Sequence, residues 1–176
     1  MSGGTMLKMS TIVTLIAVLI GFSGCAQHLV IDQYPMKPGM VPEFSGDQPV
    51  ELVNAQDNKE NVNAGSASMV KYTANRHQVT DTAIQVLATE LEKRNISISN
   101  DADKQLRLAI QDVTIVYVFN YRCILHLRAE TGDGYIRDFE GNNDSWRNAW
   151  TACGGAVLSA VAAMLNDDTI LGYLKH

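Results

Sequence analysis

Residues 106–119 read Leu106-Arg107-Leu108-Ala109-Ile110-Gln111-Asp112-Val113-Thr114-Ile115-Val116-Tyr117-Val118-Phe119, and their phase decides the architecture. Leu106, Leu108 and Ile110 share one face of a strand, because side chains alternate across a sheet with period two. After Gln111-Asp112 the apolar set moves to odd numbers: Val113, Ile115, Tyr117 and Phe119. A one-residue slip reverses the faces, so the pattern predicts a bulge or sharp twist near 111–113. Asn120 is a turn point. Beyond it Cys123, Leu125, Leu127 and Ala129 alternate with Arg122, Ile124, His126, Arg128 and Glu130. Thr131-Gly132-Asp133-Gly134 is a hairpin signal, and 135–140 returns as a further strand.

Upstream, 50–53 and 69–72 are short strand candidates, separated by an Asn-, Asp-, Gly- and Ser-rich stretch that reads as a long polar loop. Val79, Ala83, Val86, Leu87 and Leu91 recur at helical spacing and predict a helix over 78–94. Asn75 with Gln78 suits its start, and Asn95 its stop. Ile96 and Ile98 then alternate with Ser97 and Ser99 as a short strand. Downstream, Gly141-Asn142-Asn143-Asp144 closes the sheet and caps a second helix over 145–165. That helix is apolar around most of its circumference. Such breadth means either burial on more than one side or a second face that meets a partner. Gly154-Gly155 costs about 1 kcal/mol per glycine in helix propensity, which close backbone approach would offset. Residues 166–169 open a last short helix containing Ile170, Leu171, Tyr173 and Leu174. The order predicts an α+β, two-layer fold, an antiparallel β-sheet meander with two main helices packed on one face.

The N-terminus carries an address. Lys8 precedes an uncharged apolar run over 11–22, and Phe22-Ser23-Gly24 leads into Cys25. A spanning helix needs about 20 apolar residues, so this shorter run suits a secretory leader. It resembles the lipobox of bacterial lipoproteins, with Phe22 where that box usually carries Leu. The resemblance implies a leader over 1–24 and an acylated Cys25 as the mature N-terminus. The other reading is an ordinary signal peptide with a chance cysteine. Ala26, standing where an Asp would signal inner-membrane retention, implies the outer membrane by resemblance to sorted lipoproteins. Residues 25–47 hold Pro35, Pro38, Pro42, Gly39 and Gly46 and read as a lipidated tether, leaving 48–176 as a single α+β periplasmic domain. Without the leader the chain carries 13 basic and 19 acidic side chains. That balance argues against nucleic acid as a partner and against electrostatic adhesion of the body to an anionic leaflet. The membrane partner is therefore reached through the lipid on Cys25.

Cys123 is in phase with the inward face of its strand, and Cys153 lies on the apolar side of the second helix. In an oxidising compartment the pair suits a disulfide; two buried free thiols are the competing reading. Arg107, Arg122, His126 and Arg128, with Arg137, make a candidate anion-binding face on the sheet, phosphorylated lipid A or peptidoglycan being natural ligands. The same pattern fits a solvated face whose arginines pair with Glu130 and Asp138. Trp146 and Trp150, one helical turn apart, and Tyr117, Phe119 and Tyr121 suit either a lipid- or sugar-contacting site or core filling. His28, His77, His126 and His176 are scattered without metal spacing. No catalytic motif occurs, so neither an enzyme, a metal nor a cofactor is expected beyond the covalent lipid.

Helix, Ile-rich strand, acidic turn and Leu106–Val113 occur in order. With the Ala-rich helix and Asp167-Asp168-Thr169-Ile170-Leu171, the chain resembles small outer-membrane lipoproteins of the YajG and LptE-like type. The resemblance implies a lipid-anchored, non-enzymatic periplasmic module that binds an envelope protein or glycolipid. The alternative is a structural subunit of a larger secretion or efflux assembly, with the second helix buried between chains.

Overall fold

The phase slip at 111–113 is a bulge in the longest strand of a computed structural model that describes residues 26–31, 34–67 and 69–176. The strands are β1 (Ala26–His28), β2 (Val50–Asn54), β3 (Asn61–Ala67), β4 (Val70–Asn75), β5 (Lys104–Tyr117), β6 (Tyr121–Thr131) and β7 (Ile136–Ser145). The helices are α1 (Arg76–Glu92), α2 (Ala149–Leu165) and α3 (Asp168–Lys175). One sheet runs β1-β4-β3-β5-β6-β7, with β2 paired to β5 off that path. The helices pack on the face that buries Leu106, Leu108, Ile110, Val113, Ile115, Cys123, Leu125, Leu127 and Ala129. The fold is α+β.

Short turns force β5, β6 and β7 into the expected antiparallel meander. The rest of the sheet is mixed rather than antiparallel. β1 pairs β4, β2 pairs β5 and β3 touches β5, all in parallel. Parallel pairing needs a long crossover, here the passage from β2 through α1 back to β5.

The bulge organises the junction of these parts. Ile110 faces Leu127 and Asp112 faces His126, leaving Gln111 as the extra residue. On the other edge of β5, β2 covers Lys104 to Leu108, and β3 meets Ile115. Between them the backbone of Ile110 would lack partners. Its N–H donates instead to the Thr80 hydroxyl at 3.0 Å, and its carbonyl accepts from Gln56 Nε2 at 2.7 Å. A buried strand gap is thus closed by side chains, as an unpaired buried amide is costly.

Other expectations change as well, and residues 96–99 form only a single bridge, from Ile98 to Val50. The stretch read as a polar loop contains β3, whose Asn, Gly and Ser content is poor for a strand. It bulges between Asn63 and Gly65, where the Asn63 carboxamide oxygen accepts the Gly65 N–H. Residues 141–144 belong to β7, so α2 begins at Ala149, where Asn148 accepts the Thr151 N–H at 2.8 Å. Trp146 therefore precedes the helix and does not share it with Trp150.

The proline-containing arm is not a free tether. Leu29, Met36, Val41 and Phe44 are buried in the common core, and Leu29 N–H bonds the Thr73 carbonyl at 2.8 Å. Arg94 stacks over Phe44 at 4.9 Å, and Asn166, the C-cap of α2, donates to the Met40 carbonyl at 2.9 Å. The arm lies across both α1 and α2. It is the cover that the wide apolar surface of α2 requires, so that breadth reflects burial within the chain.

Candidate functional site

Cys25, the expected lipidation point, lies outside the described residues. Ala26, bonded to it, opens β1 and is aligned with Lys71 of β4. The anchor reading therefore connects to the sheet directly.

Cys123 on β6 and Cys153 on α2 are joined, their Cα atoms 5.0 Å apart. Both are fully buried. The bond ties the start of β6, next to the edge strand β7, to the main helix, in a place suited to holding structure. It is sealed from any substrate.

Arg107, Arg122, His126 and Arg128 stand together on the outer sheet face, opposite the helices. Register brings carboxylates beside them: Asp138 opposite Arg128, Glu140 opposite His126 and Asp144 opposite Arg122. Arg122 grips Asp144 with two bonds of 2.7 and 2.8 Å, and Arg128 grips Asp138 at 2.8 and 2.9 Å. Arg107 lies 3.8 Å from Glu130, and Asp112 faces His126 from the other side. The arginine bonds hold the Asp138 and Asp144 carboxyls below the usual range. Arg76, at the start of α1, lies 3.6 Å from Asp112, so four arginines meet five carboxylates here and the balance is slightly acidic. Arg137 is not part of it. One residue out of phase, it points toward the helix side, reaches Asp167 and lies over the Phe139 ring at 5.6 Å.

Asp167 caps α3, its Oδ1 accepting the Thr169 and Ile170 N–H groups at 3.0 Å each. Burial acts to raise its carboxyl. The Ile170 amide, the Arg137 charge, the Thr169 amide and the Tyr135 hydroxyl outweigh that and hold it low. A folded value below the unfolded one means stability is complete above the ordinary carboxylate range and is lost as pH falls through the lowered value. Asp167→Asn keeps the caps and loses the charge. Urea titrations at pH 6 should show it less stable than the natural chain, with the gap narrowing as the pH falls below the ordinary carboxylate range. A gap that is unchanged by pH would refute this assignment.

Between the arm and α2 lies a shallow groove of about 430 Å³, lined by Tyr34, Pro35, Met40, Asn143, Thr151 and Leu158 among others. Grooves between the arm and α1 are lined chiefly by Met36, Glu90 and Lys93. Burial acts to raise Glu90, but its bonds to Arg94 and Lys93 prevail and keep it ionised. No group of three or more His, Cys, Asp or Glu side chains suited to a metal occurs among the described residues. No single described helix is long and apolar enough to cross a membrane.

The aromatic residues divide. Tyr72 is buried, with Tyr121 and Trp150 packed edge-on at 6.4 and 6.1 Å. Burial first, and the Tyr121 hydroxyl second, push the Tyr72 phenol up to about 12. Trp150 and Tyr121 thus pack on the core, whereas Phe119 and Trp146 stand in solvent.

No family model and no curated protein matches this chain. Among solved structures it is similar to the Xanthomonas campestris protein XCC0632, of family model DUF330. The two are 12% identical over 84% of this chain and 94% of that one, with a TM-score of 0.48. It is also similar to PelC from Paraburkholderia phytofirmans, solved as a dodecamer, at 12% identity over 77% and 93% of the two chains, TM-score 0.39. Both are bacterial proteins.

Proposed function

We propose that this protein is a lipid-anchored, non-enzymatic module on the periplasmic face of a bacterial outer membrane, where it holds another envelope component. The observation that carries the reading is the leader: Lys8, the uncharged run over 11–22, and Phe22-Ser23-Gly24 before Cys25. Acyl chains on Cys25 supply attachment, two or more giving stable anchoring where one is marginal. Because Ala26 is already part of the sheet, the anchor holds the body close to the bilayer. Of the two partner classes, protein or glycolipid, the outer sheet face favours a protein. Its arginines are each held by a carboxylate and its net balance is negative, which disfavours the phosphates of a glycolipid. The assembly alternative drew on an uncovered side of α2, which the arm occupies within the same chain.

The intact mass of membrane-extracted protein, taken without reductant, tests the anchor. We expect a chain beginning at Cys25 with acyl additions, and a Cys25→Ser chain without them. A mature mass free of acyl groups overturns the anchored reading. Cross-linking in whole envelopes should then capture a partner on the natural chain; none at native abundance counts against the holding role.

A further inference from the structure

Strand directions gather one end of the sheet into an apolar rim. Met69 lies between the end of β3 at Ala67 and the start of β4 at Val70, and β5 passes to β6 through the 118–120 turn. The Gly65–Ile115 pairing puts those two turns at the same end. β7 finishes there too, since Ser145 pairs with Tyr121, and Trp146 follows directly. Among the described residues eight large hydrophobic side chains are exposed, and six belong to this end: Met69, Val116, Tyr117, Val118, Phe119 and Trp146. The other two, Val30 and Ile136, sit toward the opposite end. Exposure is 87% at Met69, 69% at Val118, 80% at Phe119 and 82% at Trp146. Neighbouring strands lie about 4.8 Å apart, so from β4 to β7 the rim is roughly 20 Å wide.

Two further facts name the occupant. Ala26 is aligned with Lys71, one residue from the start of β4, so β1 begins at this same end. Whatever Cys25 carries is one residue away, a Cα spacing of about 3.8 Å. Lys71 and Arg147 are also exposed here, cations on a chain that is otherwise acidic. Tryptophan beside exposed aliphatic tips and flanking cations is the composition that settles at a lipid–water interface.

We infer that the rim of Met69, Val118, Phe119 and Trp146 seats in the headgroup region of the bilayer beside the acyl chains on Cys25. It gives the anchor a second contact and fixes which end of the protein faces the membrane. This rests on the anchored reading and adds orientation to it. The bulk of the chain repels an anionic leaflet, while this one end does not.

Trp150→Phe leaves Trp146 as the sole tryptophan of the full chain, because the sequence has only these two. The extracted protein is reconstituted in phosphatidylethanolamine–phosphatidylglycerol vesicles, with and without lipids brominated near the glycerol end of the chain. We expect a blue-shifted Trp146 emission, quenching by the brominated lipid, and a severalfold loss of access to iodide. Val118→Ser with Phe119→Ser, on an exposed turn, should weaken vesicle partitioning of the unacylated Cys25→Ser chain by roughly tenfold or more. If the acylated chain binds vesicles while Trp146 stays open to iodide, the rim proposal falls and the anchor stands. If the extracted chain carries no acyl mass, the anchor falls, and the same vesicle titration decides the rim: a Trp146 shift supports it, none overturns it. Trp146 shielded before lipid is added, with a dimer mass, assigns the rim to a second copy and overturns the proposal.

Discussion

Removing the Cys123–Cys153 bond should lower the unfolding free energy by roughly 3–4 kcal/mol, the value of cross-linking a loop of this length in the chain-entropy model. The bond closes thirty residues that include the β6–β7 hairpin, all of β7 and the start of α2. In the unfolded chain it denies these residues many of their conformations. In the folded chain it ties the start of β6 to the helix above it. Alanine is the right replacement, because both sulfurs are fully buried and a serine hydroxyl there would need a new partner. Either single variant already breaks the bond. Cys123→Ala, Cys153→Ala and the double variant should therefore fall by similar amounts, a strongly non-additive pattern. Urea titration without reductant measures it. Additive losses, or a double variant within 1 kcal/mol of the natural chain (about the scale of an ordinary substitution), would refute the role.

What could be read in advance was whatever neighbouring residues settle among themselves. The slip at Gln111 and the turns at Asn120 and Thr131-Gly132-Asp133-Gly134 are of that kind. So is the start of α1, where Asn75 accepts the Gln78 N–H at 3.0 Å. Parallel pairing of β2 with β5 joins residues more than fifty positions apart and leaves no local trace. The arm was misread for a related reason. Leu29, Met36, Val41 and Phe44 enter the core singly, at irregular intervals, so no period announces them beside the prolines. At the candidate sites, the arginine face could be seen from alternation alone. Its acidity could not, because Asp144 comes from a segment that looked like a loop. Helical spacing puts Trp146 with Trp150, but the helix starts three residues after Trp146, and the exposed rim depends on strand directions that leave no local trace.

Gly141 shows how one residue can mislead a sequence reading and still hold the fold together. Glycine in a strand lacks side-chain packing and weakens the pattern, which is why 141–144 read as a turn. In the structure Gly141 pairs with Leu125 and faces α2 so closely that a Cβ would strike the Ala156 carbonyl and the backbone of Ala160. Ala156 and Ala160 are one helical turn apart, and their small side chains let the backbone of β7 approach. Directly before Ala156, Gly155 makes room for Asn143 in the same way. Gly141→Ala must therefore push α2 off the sheet, and we expect a loss of about 3 kcal/mol or more, the upper range of overpacking. Gly172 provides the contrast. It lies in α3, and a Cβ there would meet nothing. Gly172→Ala should stabilise by about 0.5–1 kcal/mol through helix propensity. The same change of one methyl group thus has opposite signs at two sites, and urea titration of both variants reads it directly. A Gly141→Ala chain as stable as the natural one would mean that α2 does not rest on β7.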